Sequence, residues 1–454
     1  MICPKLLALA SLFALSLAGS NVLAQGVQPY PNAITDRTVR QATPMSPPPV
    51  NVVFQDPDFG SQMVRVTDET TDKVPGGYLR SPAVGATNTW STDDSKFYVI
   101  GEGGHDLAFG FNPSTMKLRS LQANGKALVL PFRPAPMFSF VDPDLMYGTT
   151  DANRFTISSY RFSTNTLTPV IDTTTCGLEP ALVVTNKSIQ SDDDVSLSTD
   201  DVRIAISEGG PEAGEHPFVV VYDKNLGCRW YNTQTGQIGG QWGPTGSAPA
   251  QGFLINHARI TGDGKHVMIG ALSFGTYFWD IETLTVDSCP LHSKLDCGGY
   301  ETVGRSTLIN AAGTIDEMNI VKRPLSDLSA ISPLVWPLPT PHSWEQEKHF
   351  TWTNGFLDDN NPVCASVYDY DGDTEIVRPW DDEIVCIETD LAASTVWRFA
   401  HHRTSKTAAY IDSQPMGNVS PDGRFFLFTS IWDGQLGVES NGTTRSDMWI
   451  VKLK

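Results

Sequence analysis

The chain has 454 residues and a formal net charge of -19 at pH 7, from 32 Lys and Arg against 51 Asp and Glu. This acidity argues against nucleic acid as a partner and against a polyanionic ligand that lacks a bridging cation. Residues Met1–Ala24 combine Lys5 with an apolar run from Leu6 to Leu17, which indicates a signal peptide cleaved after Ala24. We therefore expect a secreted or periplasmic protein, and no later segment is apolar enough to span a membrane.

Seven cysteines are present, and Cys3 leaves with the signal peptide, so six remain in the mature chain. An even number in an exported protein indicates disulfides, although six cysteines allow 15 pairings. Proximity in the sequence favours Cys289–Cys297 and Cys364–Cys386, which leaves Cys176–Cys228.

After the signal peptide, Gln25 to Val50 is rich in proline and poor in apolar residues, which predicts an exposed, extended arm. From residue 51 to residue 454 one pattern recurs: a strand, a polar turn with Asp or Gly, and an apolar strand. Seven units of this kind begin near Asn88, Met137, Val195, His257, Thr307, His349 and Val419. Their spacing of about 45 to 70 residues is close to that of one four-stranded propeller blade.

The last unit supplies only three strands, ending with Met448 to Leu453. Gln62 to Thr67 alternates apolar and polar residues, as an outermost strand does. We predict that this segment joins the C-terminal strands and closes the ring. The fold class is thus all-β: a single-domain, seven-bladed β-propeller of four-stranded antiparallel blades. A six- or eight-bladed ring and two stacked β-sandwiches are the alternatives.

Candidate chemistry centres on two histidines. His257 lies three residues before the core residue Ile260, and His349 lies three residues before Trp352. The same place in two blades suggests that both imidazoles reach the channel mouth, where they can bind a divalent metal or accept a proton. Gln346 is a further candidate metal ligand.

The stretch from His349 to Trp352 and the Ser420-Pro421-Asp422-Gly423 turn resemble the propeller of oligogalacturonate lyases. The resemblance implies manganese-binding and catalytic histidines at this inner-strand position. In that family the last blade has Gln-x-x-His-x-His, where this chain has Ile411, Gln414 and Met416, so those ligands are missing. The last blade is also generally similar to TolB-type and WD40-like propellers of exported bacterial proteins.

Other residues are candidates for contacts with a ligand. Arg398, His401 and Arg403 follow one another at the end of a strand, where Arg can bind a carboxylate or sugar. Trp242 and Trp344 lie in Gly- or Pro-rich connections and can stack on sugar rings or a peptide. The acidic turn from Asp369 to Glu375 can offer oxygens to Ca²⁺.

Two classes of function follow from these candidates. The first is a glycan-interacting propeller, with a metal-assisted uronate lyase as its catalytic form. There His257 or His349 removes a proton, while a Mn or Ca ion and Arg398 neutralise the developing charge. The second is a non-catalytic propeller that binds a peptide or protein. The sequence leaves the oligomeric state open.

Overall fold

The computed structural model describes residues 30–71, 77–82, 87–122, 124–132, 136–150, 152–178, 195–208, 217–271, 275–289, 297, 301–313, 318–338, 347–352, 359–368, 378–391, 393–404 and 413–454. The predicted signal peptide lies outside these residues. Within them, no helix has the length and apolar character needed to cross a membrane.

Seven antiparallel sheets form the blades of a β-propeller, as predicted. The first blade contains β3 (Leu79–Arg80), β4 (Lys96–Gly101), β5 (Leu107–Asn112), β6 (Lys117–Arg119) and β7 (Leu128–Val129). The second contains β8 (Met137–Phe138), β9 (Leu145–Thr150), β10 (Asn153–Arg161) and β11 (Thr166–Asp172). The third contains β12 (Ser196–Leu197), β13 (Arg203–Glu208), β14 (Phe218–Asp223), β15 (Gly227–Asn232), β16 (Gln237–Gly240) and β17 (Gly246–Ser247).

The next three blades have four strands each. The fourth contains β18 (Ile255–Ile260), β19 (His266–Ala271), β20 (Thr276–Asp280) and β21 (Val286–Ser288). The fifth contains β22 (Thr302–Val303), β23 (Thr307–Ala312), β24 (Asn319–Pro324) and β25 (Ser332–Pro333). The sixth contains β26 (Glu347–Trp352), β27 (Val363–Tyr368), β28 (Glu383–Ile387) and β29 (Val396–His401). Two short 3₁₀ turns, Glu102–Gly104 and Thr173–Cys176, are present in the described parts of the first three blades.

The seventh blade joins the two ends of the chain, which confirms the predicted closure. It contains β30 (Gly417–Val419), β31 (Phe425–Ser430), β32 (Asp447–Lys452), β2 (Gln62–Arg65) and β1 (Val53–Gln55). Strand β2 pairs antiparallel with β32, with Val64 opposite Ile450. The join also carries an ion pair, because Arg65 Nε lies 3.0 Å from Asp447 Oδ2 and both side chains are buried.

The hydrophobic core is divided into seven clusters, one between each pair of neighbouring blades. The middle strands of a blade are therefore covered on both faces, and they are apolar runs rather than alternating sequences. The Phe425–Ser430 strand, for example, is buried along its whole length.

The first and second strands of each blade meet at one face of the ring, which we call the turn face. The inner strands begin at the opposite face, which we call the entrance face. At the turn face a hydroxyl–carboxylate bond recurs: Ser91 to Asp93, Ser198 to Asp200, Thr261 to Asp263 and Ser420 to Asp422, at 2.6–3.0 Å. The fourth residue of these turns has a positive φ of 57°–72°, which suits Asp or Gly.

Three disulfides confirm the predicted pairing. They join Cys176 to Cys228, Cys289 to Cys297 and Cys364 to Cys386. The last bridge connects directly opposed residues of β27 and β28. The first fixes the segment after the second blade to the third blade, so a long connection is tied down.

The described residues of the N-terminal arm, 30–50, contact the domain. Tyr30 is buried against Trp397 and Phe399, with ring centroids 5.4 and 5.0 Å away. Ile34 forms a β-bridge with Arg398 on the outer edge of the sixth blade. The arm thus covers a strand edge that would otherwise expose unpaired backbone groups.

Candidate binding site at the entrance face

His257 lies on the inner strand of the fourth blade, near the end of the strand that opens at the entrance face. Its side chain is 19% exposed, so the imidazole is accessible from solvent. The ring lies flat over Gly270 of the neighbouring strand, where a Cβ atom would collide with it. Glycine at position 270 is therefore required for this orientation of His257.

Polar groups surround His257 in the cleft between the fourth and fifth blades. Its Nε2 lies 3.8 Å from Glu301 Oε1, and Thr276 Oγ1 donates a 3.0 Å hydrogen bond to the same oxygen. Arg259 follows two residues later on the same side of the strand and is buried. Sequence reasoning missed Glu301 and Arg259, because neither lies in a motif and the fold alone brings them to His257.

These surroundings keep the imidazole neutral. Burial, with a smaller contribution from the Arg259 guanidinium, lowers the pKa of His257 to about 3. A neutral imidazole has one donor and one acceptor nitrogen. His257 can therefore both donate and accept a hydrogen bond at neutral pH, but it is a weak base.

His349 occupies the equivalent position in the sixth blade, yet it faces another cleft. Its ring is buried and stacks on Tyr368 with centroids 5.9 Å apart. Thr351, on the same side of the strand, accepts a 3.2 Å hydrogen bond from the backbone N–H of Val419 in the seventh blade. His349 thus faces the cleft between the sixth and seventh blades, whereas His257 faces the cleft between the fourth and fifth.

Shared metal coordination by His257 and His349 does not fit this placement. Among the described residues, no three His, Cys, Asp or Glu side chains converge in a way that could hold a metal ion. At the positions where the resemblance places metal ligands, Gln414 and Met416 are buried and Met416 has no suitable donor. Gln346 and the turn from Asp369 to Glu375 lie outside the described residues.

Arg398 has a structural environment rather than a ligand-facing one. It is fully buried on β29, the outermost strand of the sixth blade's own sheet. Its Nε and Nη2 bind the two carboxylate oxygens of Glu383 at 2.8 and 2.5 Å. Its Nη1 binds Asp36 and the Thr38 carbonyl of the arm. Every nitrogen of the guanidinium therefore already has a protein partner.

His401 and Arg403 were expected to contact a ligand, but both are buried at the junction of the sixth and seventh blades. His401 Nε2 is 3.6 Å from Asp58, and Arg403 Nη1 is 3.8 Å from Asp433. Among the described residues, the ring nitrogens of His401 and the terminal nitrogens of Arg403 have no direct hydrogen-bond partner. Such separations suit bridging water, and neither side chain is open to a large ligand.

Of the two tryptophan candidates, the structure describes Trp242. Its ring centroid lies 4.9 and 5.3 Å from the guanidinium groups of Arg203 and Arg229, and it packs against the core between the third and fourth blades. Trp242 is therefore in a different cleft from His257. Trp344 lies outside the described residues.

The fold and this polar cleft define a seven-bladed β-propeller with a partly exposed histidine on an inner strand, and solved structures show the same fold. A structure of oligogalacturonate lyase in complex with manganese is 14% identical, covers 91% of this chain and 99% of its own, and has a TM-score of 0.54. Oligogalacturonate lyase from Vibrio parahaemolyticus is 12% identical over 88% of this chain and 96% of its own, with a TM-score of 0.52.

A third match, the WD40 domain of Pan2 from Neurospora crassa, is 11% identical over 81% of this chain and 89% of its own. Its TM-score of 0.42 is too low to carry an argument. No protein-family model and no curated protein sequence matches the chain. The expected distant resemblance to lyase propellers is thus confirmed for the fold, and the identities are too low to transfer an activity.

Proposed function

We propose that this protein is an exported glycan-binding β-propeller whose ligand contacts the entrance face at the cleft between the fourth and fifth blades. The observation that carries the proposal is the accessible, neutral His257 held beside Glu301 and Thr276. The three predicted and observed disulfides support export, because disulfides persist in oxidising compartments.

The chemistry of the cleft suits sugar hydroxyls. A hydroxyl group donates one hydrogen bond and accepts others, and neutral His257 can satisfy both roles. Glu301 adds an acceptor, and Arg259 adds buried positive charge that offsets it. Since the whole chain carries a net charge of -19, we expect neutral glycans to bind at least as well as uronate glycans.

Uronate lyase activity is the second candidate, supported by the lyase-like fold and by a histidine on an inner strand. In that reaction His257 takes the proton alpha to the uronate carboxylate, and the electron pair forms a carbon–carbon double bond. The bond to the glycosidic oxygen then breaks, and that oxygen takes a proton from water. We rank binding first because a base with a pKa near 3 accepts a proton weakly at neutral pH.

A divalent cation of the Mn or Ca type does not fit the donor set of this cleft. Glu301 is the one carboxylate near His257 among the contacts of the described residues, and Arg259 repels a cation. The binding and lyase schemes proposed for this cleft therefore involve only its own side chains.

Isothermal titration calorimetry with neutral and uronate oligosaccharides tests the binding proposal. We expect saturable binding by the wild type and about tenfold weaker binding by His257→Ala, because one donor and one acceptor are lost. Leu226→Ala is the matched control, since Leu226 is 52% exposed in the turn between β14 and β15, away from the entrance face. Equal affinity in wild type and His257→Ala would overturn the proposal, and binding of peptides alone would favour the non-catalytic protein-binding alternative.

Ultraviolet absorbance of the unsaturated product tests the lyase candidate. Homogalacturonan would be incubated with wild type and His257→Ala, with and without added manganese. Product formed by the wild type and lost in the variant would establish the lyase. Binding without product would leave a glycan-binding propeller.

A further inference from the structure

Trp336 is exposed in an unusual way. Its side chain is 69% exposed, whereas the other large exposed hydrophobic residues of the described chain are all Val or Leu. An exposed indole leaves a large apolar area in water, which is unfavourable unless a ligand covers it. The residue lies just beyond β25, in the connection that leads to the inner strand of the sixth blade.

The backbone that carries Trp336 is held on both sides. The carbonyl groups of Trp336 and Pro337 accept hydrogen bonds from Arg37 of the N-terminal arm. On the other side, the Asn319 side chain donates a 2.9 Å hydrogen bond to the Val335 carbonyl. The Arg37 guanidinium in turn lies over the buried ring of Trp380, 5.2 Å from its centroid. An exposed ring on a fixed backbone is preorganised for binding, because little conformational entropy remains to be lost.

The surroundings of Trp336 favour a sugar ring over a protein surface. The arm residues on either side of Arg37 are Asp36 and Thr38, which are polar and exposed. A stable protein interface needs roughly 800 Å² per partner with an apolar centre. A single exposed indole is far smaller than such an interface and matches one pyranose ring, whose C–H face packs on the indole while its hydroxyls remain hydrated.

The connection that contains Trp336 also relates it to the proposed cleft. Glu301 lies in the connection that enters the fifth blade, and Trp336 lies in the equivalent connection that enters the sixth. Both connections lead to inner strands that begin at the entrance face. An extended ligand on this face can therefore reach both.

We propose that Trp336 is a sugar-stacking subsite for one end of an oligosaccharide whose other end occupies the cleft at His257. The inference rests on the proposed glycan-binding function and specifies its ligand class: a chain of several sugar units rather than a monosaccharide.

Calorimetry with size-graded oligosaccharides tests this subsite. The probes are cello-oligosaccharides and oligogalacturonides from two to eight units, added to wild type, Trp336→Ala and Trp336→Phe. We expect Trp336→Ala to bind the shortest binding oligomers with unchanged Kd and the longer ones about tenfold more weakly. Trp336→Phe should retain part of the gain with length, because it keeps an aromatic face.

A direct readout is ¹⁹F NMR of protein labelled with 5-fluorotryptophan, in which the signal missing from Trp336→Phe identifies Trp336. This signal should shift with long oligomers and stay in place with short ones. If Trp336→Ala binds long oligomers with wild-type affinity, or loses affinity equally at every length, the subsite is overturned. If glycan affinity still depends on His257 in that case, the proposed function remains intact. Absence of any glycan binding by the wild type would overturn the proposed function and the subsite together. Trp336→Ala should unfold at the wild-type temperature.

Discussion

The two faces of the ring differ in how much their residues repeat. At the turn face, four blades use the same hydroxyl–carboxylate turn, and Asp201 of the third blade extends it by binding Ser139 and the Phe140 N–H of the second. At the entrance face the equivalent histidines differ in their surroundings, because the His257 side chain is 19% exposed in the fourth blade and His349 is buried in the sixth. The turn-face bonds hold blades in place, whereas the entrance face leaves one of these two imidazoles in contact with solvent.

The largest effect should come from a residue that sequence analysis assigned to catalysis. Arg398→Ala removes the guanidinium that binds both Glu383 and the N-terminal arm. It leaves the buried carboxylate of Glu383, whose pKa burial raises to about 7, without this partner. We expect a loss of about 3–5 kcal/mol in the free energy of unfolding. Denaturant unfolding measures this loss. The folded variant should bind glycan like wild type, and weaker binding without a loss of stability would restore a ligand-binding role to Arg398.

Asp201→Ala tests whether the turn face fastens neighbouring blades. The change leaves the Ser139 hydroxyl and the Phe140 N–H without their acceptor, and it puts alanine at a φ of 58°. We expect a loss of about 2–4 kcal/mol. Asp201→Asn is the control, since asparagine keeps an acceptor oxygen and tolerates this backbone conformation. If the two variants unfold alike in denaturant, the side-chain bonds between blades have no role.

These two residues show what the sequence could and could not predict. The repeated turns, the apolar runs and the alternating segment from Gln62 to Thr67 were visible because they obey local rules of strand and turn chemistry. The burial of Arg398 was not visible, because its partners Glu383 and Asp36 lie 15 and 362 residues away in the chain.

The two histidines give a second lesson about the site. His257 and His349 were expected to meet because they hold equivalent positions in two blades. Side chains of an inner strand point alternately into the two clefts that flank its blade. Equivalent positions in different blades therefore lie in different clefts around the ring, and their side chains do not meet in the channel. The approach of Glu301 to His257 depends on how two blades pack, which no local pattern encodes.

Three histidines of the entrance half, His257 and the buried pair His401 and His402, should make the protein sensitive to acid. Burial lowers the pKa values of His257, His401 and His402 to about 3, 4 and 3. Below about pH 6.5 the unfolded chain binds protons that the folded chain does not, so stability is full above that pH and falls as the pH decreases. Each histidine contributes up to about 1.4 kcal/mol per pH unit within this window. Glu383 and Asp94, whose pKa values burial raises to about 7 and about 8, bind protons more readily in the folded chain and so oppose two of the three histidines in this window.

Denaturant unfolding at pH 7, 6 and 5 measures this dependence. The slope of the unfolding free energy against pH should be shallower in His257→Ala by about 1.4 kcal/mol per pH unit, the contribution of one proton. A slope identical to that of wild type would show that His257 is protonated in the folded protein.

The smallest expected change in stability is that of Gly270→Ala, which tests the orientation of His257. The added methyl group collides with the imidazole of His257, whose side chain is 19% exposed and can move toward solvent. We therefore expect a loss of about 1 kcal/mol or less in stability but a several-fold loss of glycan affinity, measured by calorimetry. Gly264→Ala, at the turn face, should lower stability because its φ is 72°, and should leave affinity unchanged. Equal affinity in wild type and Gly270→Ala would mean that the orientation of His257 does not matter.

The most direct measurement is an NMR titration of the His257 imidazole with glycan at neutral pH, with its signal assigned by comparison with His257→Ala. We expect this signal to report a neutral ring and to shift to saturation with the same Kd as in calorimetry, while the signals of the buried His401 and His402 remain in place. A His257 signal that stays unchanged while the glycan binds would show that the glycan does not bind at the cleft between the fourth and fifth blades.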